Sequence, residues 1–170
     1  MTAINAIYLV VSGASSARCV PELLAALTQL DLPLYTILTD NAYRLISPYN
    51  LVDQPGHTLI DSYFDPVMVN DRRPGLTLVA PVTFNTLNKI SQGLADTLAH
   101  SLVAEAIGAG WPVIVAPSMN QALYNHPQVS RSTATLREWG VTVLEPRPER
   151  ELLMMAPVEE IIGAVKKELG

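Results

Sequence analysis

The stretch AIYLVVSG, residues 6–13, is a continuous apolar run that ends at a serine and a glycine. A run of this kind is typical of a β-strand that is buried on both faces of a sheet. Leucines in helical spacing follow it, at positions 23, 24, 27 and 30, and they predict a helix over residues 21–30. Together the two segments predict a β-strand followed by a helix, which is the repeating unit of a parallel sheet.

Strand and helix patterns alternate along the rest of the chain. The other apolar runs predict strands at residues 34–38, 76–80, 113–116 and 141–144. Helical spacing predicts helices at residues 85–90, 96–107, 127–139 and 158–169, with a short amphipathic piece at 43–46. Residues 48–75 are rich in Pro, Gly and Asp and predict a long excursion with at most one short strand, with no clear periodicity before residues 66–69. The pattern predicts one α/β domain over residues 1–170, with a mostly parallel sheet of about six strands between two helical layers.

Composition excludes several classes of protein. The net charge of −5 and the absence of a basic stripe argue against a nucleic-acid partner. There is no apolar run of the length that a membrane-spanning helix needs and no signal peptide, so we expect no membrane partner and a cytoplasmic location. A single cysteine, Cys19, and three scattered histidines predict neither a disulfide framework nor a metal site. Redox chemistry would therefore have to come from a cofactor.

The predicted strands end in loops that carry hydroxyl and amide groups. In a parallel sheet, ligands bind beyond the carboxyl ends of the strands, where the strand order reverses. Backbone N–H groups at helix starts can hold an anion there without a positively charged side chain. Each loop alone is also explained by helix capping, but four of them on one rim are more than capping requires. The four loops are residues 12–16, 39–41, 81–86 and 117–120.

Two motifs in register resemble the flavin-containing cysteine decarboxylases, a family that includes phosphopantothenoylcysteine decarboxylase and the lantibiotic-modifying enzymes. One is a P-x-x-x-N-T loop at residues 81–86, followed by K-x-x-x-G-x-x-D with Lys89, Gly93 and Asp96. The other is P-x-M-N at residues 117–120, and the resemblance extends over residues 12–146. It implies a Rossmann-like, flavodoxin-like fold, FMN as the cofactor, and a homo-oligomer that is a trimer or a multiple of trimers such as a dodecamer.

The resemblance also assigns residues to the cofactor. It places the ribityl phosphate near Ser12, Gly13, Ser15, Thr39 and Asn41, and the isoalloxazine ring near Thr83, Phe84, Asn85 and Thr86. Ala14, Pro81, Ser118 and Met119 complete the expected cofactor-binding set, and Asn85 and Asn120 are the candidate catalytic residues. Because FMN often lies between subunits in this family, Phe84, Met119 and residues 48–74 are expected to face a neighbouring subunit.

The sequence departs from the family at the position of the catalytic histidine. The family segment reads D-P-V-L-H-I, and the matching residues here are DPVMVN, residues 65–70, with Val69 in place of the histidine. Valine has no acid, base or hydrogen-bonding capacity. Leu123 and Tyr124 replace a methionine and a tryptophan, and residues 146–157 lack the cysteine and glycines of the family's substrate flap. The resemblance therefore predicts a flavin pocket without standard cysteine decarboxylation.

The remaining chemically capable residues each have a simpler structural interpretation. His57 is expected to be a solvated loop residue and Cys19 a small core residue. The histidines at 100 and 126 are expected to be structural, Tyr124 to serve in packing, and Asp96 to cap or pair locally. The apolar residues 152–155 are interpreted equally as core or as a subunit contact.

Three functions follow from these observations. The first is a flavin-dependent enzyme, an oxidoreductase or a decarboxylase, that acts on a small-molecule or peptide substrate other than the usual cysteine. The second is a non-catalytic FMN carrier or a regulatory or partner subunit. The third is a Rossmann-like scaffold that binds another nucleotide.

Overall fold

The computed structural model describes residues 3–47, 51, 54–70 and 72–170. Within these residues the strands are β1 Ile7–Val11, β2 Leu34–Leu38, β3 Thr58–Leu59, β4 Leu76–Val82, β5 Val113–Pro117, β6 Met119–Asn120, β7 Thr142–Val143, β8 Arg147–Glu149 and β9 Leu152–Met154. The α-helices are α1 Val20–Leu27, α2 Pro66–Asn70, α3 Phe84–Ser91, α4 Leu98–Gly108, α5 Gln121–Tyr124, α6 Pro127–Glu138 and α7 Val158–Leu169. This order confirms the alternating α/β architecture.

In the described part of the chain, six strands form one sheet in the order β3-β2-β1-β4-β5-β7. Every neighbouring pair in it is parallel. The chain moves outward from β1 to β3, returns to β4 beside β1, and then continues to the other edge. The strand order thus reverses between β1 and β4, so the crevice for a ligand lies at the carboxyl ends of these two strands.

Two apolar layers cover the sheet, because successive strand residues point to opposite faces. Ile7, Leu9 and Val11 of β1 join one buried cluster, and Tyr8 and Val10 join the other. Helices α1 and α7 pack on the first face, and α3, α4 and α6 pack on the second. The result is the predicted three-layer arrangement, which confirms the flavodoxin-like fold class.

Three elements differ from the sequence-based expectation. The short strand of the excursion is β3, Thr58–Leu59, whereas residues 66–70 form a helix. Strand β4 continues through Pro81, where the strand was expected to stop. The excursion also contains residues 48–50, 52–53 and 71, and the predicted break at Pro48 thus lies outside the described residues.

The third difference is a small antiparallel sheet near the C-terminus, in the order β6-β9-β8. The β8–β9 hairpin turns at Arg150, whose φ of 58° lies in the left-handed region. Its sequence, RPERELLM, shows neither the apolar alternation nor the glycine that identifies most hairpins. Leu153, Met154 and Met155 are buried within the chain, so these members of the apolar run are core rather than a subunit contact.

The helices are all short. None that the described residues form is long and apolar enough to cross a membrane.

Candidate cofactor site

The loop after β1 lies directly against the loop after β2. A Cβ atom added to Gly13 would lie 2.7 Å from the Asn41 Cβ atom and 2.9 Å from the Asn41 carbonyl oxygen. Only glycine allows this approach, since real Cβ atoms do not come so close to backbone atoms. The lack of a side chain at Gly13 therefore allows the ends of β1 and β2 to lie in contact.

Hydrogen bonds of Ser12 connect the end of β1 to the end of β4. Its buried hydroxyl donates to the Pro81 carbonyl at 2.7 Å and accepts from the Thr83 N–H at 2.9 Å. The Ser12 N–H also donates to the Pro81 carbonyl, at 3.1 Å. The Ser12 hydroxyl is thus used inside the protein, where it fixes the two loops that the strand reversal brings side by side.

Helix α3 begins at the edge of the crevice. Thr83 is its N-cap, and the Thr83 hydroxyl accepts from the Thr86 N–H at 3.3 Å and donates to the Thr86 hydroxyl at 3.1 Å. Phe84 and Asn85 occupy the first turn, whose free N–H groups and helix dipole favour an anionic or polar ligand.

The end of β5 is tied to the C-terminal segment through Ser16. The hydroxyls of Ser16 and Ser118 are 2.8 Å apart, and the Ser16 hydroxyl accepts from the Met155 N–H at 2.9 Å. Asn120 caps α5, because its side-chain oxygen accepts from the Leu123 N–H at 2.8 Å. These bonds set the β1 loop, the P-x-M-N motif and the hairpin around one opening.

That opening, which we term the hairpin cavity, has a volume of about 400 Å³. Phe84, Met119 and Leu123 give it apolar walls, together with Leu152 and Leu153 of the hairpin. Its other lining residues carry polar groups or bare backbone, namely Gly13, Ala14, Ser15, Asn41, Thr83, Asn85, Ser118 and Asn120. A flat, largely apolar ligand with a few polar edges suits this composition.

A second opening, the α4 cavity, has a volume of about 350 Å³ and shares Gly13, Asn41, Thr83 and Asn85 with the hairpin cavity. The two are therefore neighbouring parts of one groove along the strand ends. The residues that line only this cavity are mostly polar and come from the ends of β2 and β3, from α3 and from the start of α4: Leu38, Thr39, Asp40, Tyr43, Asp61, Thr86, Lys89, Thr97, Leu98, Ala99 and His100.

One charged group of the α4 cavity, Lys89, belongs to an ion pair. The Lys89 ammonium lies 2.5 Å from an Asp96 carboxylate oxygen, and this hydrogen bond holds the pKa of Asp96 below its usual value. The other Asp96 oxygen lies 3.1 Å from Nδ1 of His100. Burial lowers the pKa of His100, with the Asp96 charge acting in the opposite direction. Tyr43 stays neutral, because burial first, and then Asp61 and Asp40, raise its pKa.

Most of the expected cofactor-binding residues line this groove. Ser12 and Pro81 are not among the lining residues, whereas the following expected residues are: Gly13, Ala14, Ser15, Thr39, Asn41, Thr83, Phe84, Asn85, Thr86, Ser118 and Met119. The two candidate catalytic residues, Asn85 and Asn120, line the same hairpin cavity. Sequence reasoning missed Leu152, Leu153 and Asp61, which no local pattern marks, and gave His100 no role in the site although its spacing of four from Asp96 was visible.

The other candidates have structural contacts. His126 caps α6 through Nδ1, at 3.0 Å from the Gln128 N–H, and its ring meets Phe84 edge to face. Tyr124 donates to Glu145 at 3.3 Å. His57 is partly buried and bonds the Leu51 carbonyl at 2.7 Å, so it is not the solvated residue expected. Cys19 is partly buried against the core.

Val69 lies on α2 with 62% of its surface exposed. It is not among the described residues that line either cavity. Val69 therefore does not face the groove of its own chain.

The comparison with known proteins identifies the family. The sequence matches the flavoprotein family over residues 1–170. This chain belongs to the flavoprotein family. The match includes the strand-end loops that form the groove, so the residues described above are those of a flavoprotein-family chain.

Individual relatives agree with this assignment. The coenzyme A biosynthesis bifunctional protein CoaBC of Thermococcus kodakarensis is 30% identical over 169 residues, which is 96% of this chain but only 42% of that protein. Phosphopantothenoylcysteine decarboxylase of Mus musculus is 30% identical over 177 residues, covering 94% of this chain and 85% of that one. The solved structure of the FMN-dependent cysteine decarboxylase SpaF has a TM-score of 0.77 at 25% identity and covers 98% of each chain.

Proposed function

We propose that this chain binds FMN along the groove, with the isoalloxazine ring in the hairpin cavity and the ribityl phosphate in the α4 cavity. The observation that carries the proposal is the division of one groove into a largely apolar part and a polar part that share Gly13, Asn41, Thr83 and Asn85. A ring attached to a phosphorylated polyol has the same division. Membership of the flavoprotein family supports the choice of a flavin.

The residues present fit FMN chemically. The start of α3 and the hydroxyls of Thr39, Thr83 and Thr86 are suited to a phosphate or to the ribityl chain. Asp40 and Asp61 are exposed at the α4 cavity and accept hydrogen bonds, which suits ribityl hydroxyl groups. Bound flavin supplies the electron-transfer chemistry that this chain's own side chains lack.

The proposed activity is a flavin-dependent oxidation or decarboxylation of a small molecule or peptide. We infer that Asn85 and Asn120 orient a polar substrate group, and the position of both in the lining of the hairpin cavity supports this. Standard cysteine decarboxylation is not expected, because Val69 offers no group that moves a proton. Carbon dioxide release from phosphopantothenoylcysteine or from cysteinyl peptides, measured with FMN-loaded protein, would contradict that expectation.

The flavin site itself is tested by titrating flavin-free protein with FMN and following flavin fluorescence and absorbance. Saturable binding at micromolar concentration or below is expected, with riboflavin binding more weakly because it lacks the phosphate. NAD is the comparison ligand for the alternative that the scaffold binds another nucleotide. A protein that ignores FMN and binds NAD would refute the proposal.

The valine at position 69, where the family resemblance expects a catalytic histidine, supports a second candidate, a non-catalytic FMN carrier or a regulatory subunit. The two candidates differ in turnover. In an enzyme that oxidises its substrate, adding the substrate without oxygen reduces the oxidised bound flavin, whereas the flavin of a carrier stays oxidised whatever small molecule or peptide is present. Stopped-flow absorbance of the oxidised, FMN-loaded protein under anaerobic conditions distinguishes them.

We also propose that the chain forms a homo-oligomer, a trimer or a dodecamer. Phe64 is 87% exposed and Val69 is 62% exposed, and both belong to the excursion that the family resemblance places at a neighbouring subunit. Sedimentation analysis is expected to give a multiple of three chains. Phe64→Ser is expected to shift the protein toward monomer, while the same change at Trp139, exposed outside the excursion, is not.

A further inference from the structure

His100 is a buried residue of the α4 cavity with one ring nitrogen unused. The residue is 5% exposed and lies in the first turn of α4. Its Nδ1 atom is 2.8 Å from the Thr97 hydroxyl and 3.1 Å from an Asp96 carboxylate oxygen. Its Nε2 atom is buried and has no hydrogen-bond partner among the described residues. A buried polar atom without a partner is costly, which calls for an explanation.

The neighbours of Nδ1 decide which nitrogen carries the proton. A carboxylate oxygen only accepts hydrogen bonds, so the Nδ1 lone pair would face the negative charge of Asp96 if the proton were on Nε2. The favoured neutral ring therefore carries its proton on Nδ1 and donates it toward Asp96. This leaves a bare lone pair on Nε2. A second proton there makes an imidazolium, which the Asp96 carboxylate stabilises and orients, as a carboxylate does for a catalytic histidine.

The charged groups around the α4 cavity carry an excess of negative charge. Lys89 of α3 is already paired with Asp96, and Asp40 and Asp61 face the cavity from the ends of β2 and β3. Tyr43 is the remaining titratable group on this wall and is neutral. With one lysine against three carboxylates, a phosphate entering the cavity brings further negative charge, and among the described residues that line the cavity no lysine or arginine is left unpaired to offset it.

We propose that His100 is a proton-dependent anchor for the flavin phosphate: when the phosphate enters the α4 cavity, the imidazole takes up one proton from solvent and Nε2 donates a hydrogen bond to a phosphate oxygen. This inference rests on the proposed FMN function. It gives the unused nitrogen a partner and supplies the missing positive charge at the N-terminus of α4. His100 acts on the ligand's phosphate and not on its ring.

The inference predicts that FMN binding and riboflavin binding respond differently to pH. Uptake of one proton with FMN weakens its affinity by up to about tenfold per pH unit between the pKa of the imidazole in the flavin-free protein and its higher pKa in the complex. The phosphate itself also titrates near pH 6, so the effect of His100 is the difference in slope between the wild-type protein and His100→Gln. Riboflavin has no phosphate, and its affinity is expected to vary little with pH in either protein.

The experiment combines flavin titrations from pH 5.5 to 8.5 with NMR of the histidine rings in flavin-free and FMN-bound protein. His100→Gln assigns the signal and removes the proton site while keeping a polar side chain. His57→Gln is the matched control, because His57 is the other partly buried histidine and lies outside both cavities. We expect the His100 ring to titrate at higher pH when FMN is bound, and the FMN affinity of His100→Gln to fall about tenfold at pH 6 with riboflavin affinity unchanged.

Two outcomes would overturn the inference in distinguishable ways. If wild-type protein and His100→Gln bind FMN with the same pH dependence and the His100 signal does not move, His100 is not the anchor, although the FMN site stands. If the wild-type protein binds neither FMN nor riboflavin at any pH, the proposed function fails and the anchor fails with it. Circular dichroism of His100→Gln confirms that the variant is folded before either conclusion is drawn.

Discussion

The hairpin cavity and the α4 cavity begin from the same four residues yet differ in what completes them. Leu152 and Leu153 line the hairpin cavity, and their strand lies more than thirty positions after the first residue of the P-x-M-N motif. The α4 cavity receives Lys89, Thr97 and His100 from helices that directly follow β4 in the chain. One cavity is thus completed by a distant apolar segment, and the other by polar residues of helices close by in sequence.

This difference shows that the strand-end loops do not by themselves determine what a groove accepts. Gly13, Asn41, Thr83 and Asn85 line both cavities. The residues that line only one cavity then decide whether that cavity accepts an apolar ring or an anion. Substitutions in the shared residues should affect both flavins, whereas substitutions in residues that only the α4 cavity has should separate FMN from riboflavin.

The largest effect is expected from Gly13→Ala, because Gly13 is shared by both cavities. The new Cβ atom would overlap Asn41, so the β1 and β2 loops must move apart. We expect FMN affinity to fall by at least about 100-fold and unfolding free energy to fall by about 1–3 kcal/mol. Gly163→Ala is the control, since its Cβ meets nothing within 4 Å. Equal FMN binding by both variants would show that the groove does not depend on this contact.

A smaller effect, on stability more than on binding, is expected from Ser12→Ala. The change removes the donor to the Pro81 carbonyl and leaves the Thr83 N–H without its acceptor. Urea unfolding should show a loss of about 1–3 kcal/mol. Ser15→Ala makes the comparison sharper, because Ser15 is exposed and lines the hairpin cavity. It should weaken flavin binding and leave unfolding nearly unchanged, and the reverse pattern would invert the assigned roles.

Leu152→Ser and Lys89→Met compare the residues that line only one of the two cavities. Leu152→Ser removes apolar surface from the hairpin cavity and should weaken FMN and riboflavin alike, by about tenfold. Lys89→Met removes a cation from the α4 cavity and should weaken FMN by several-fold while riboflavin keeps its affinity. Fluorescence titration of both ligands measures this directly. A common loss for both ligands in Lys89→Met would place the phosphate elsewhere.

The smallest effect is expected in the pH dependence of stability without flavin. Burial lowers the pKa of His100 in the folded chain, so the unfolded chain binds the extra proton first as pH falls below about 6.5. Unfolding free energy should therefore decrease from pH 7.5 to pH 5.5 and level off below the folded pKa. His100→Gln should flatten this slope relative to the wild-type protein. Urea midpoints at four pH values suffice, and identical slopes would show that burial does not disfavour the charged ring.

How much of the site the sequence predicts depends on the distance between the partners. The N-cap role of Thr83 and the loop after β1 are readable, because a cap and its helix are neighbours in the chain. The buried bond between Ser16 and Ser118 is not readable, since it joins residues 102 positions apart. Likewise, nothing local in RPERELLM indicates that it pairs with Met119 and Asn120.

The sequence by itself determined the alternation of strands and helices, the parallel sheet and the rim that carries the polar loops, because hydrophobic period and turn residues act over a few positions. Only the tertiary structure decided which loops touch, which side chains complete each cavity and which polar atom is left without a partner. Those outcomes depend on the packing of segments far apart in the chain, as when the imidazole of His100 is buried with Nε2 unused. Burial and partnership are properties of the folded chain, and no single segment encodes them.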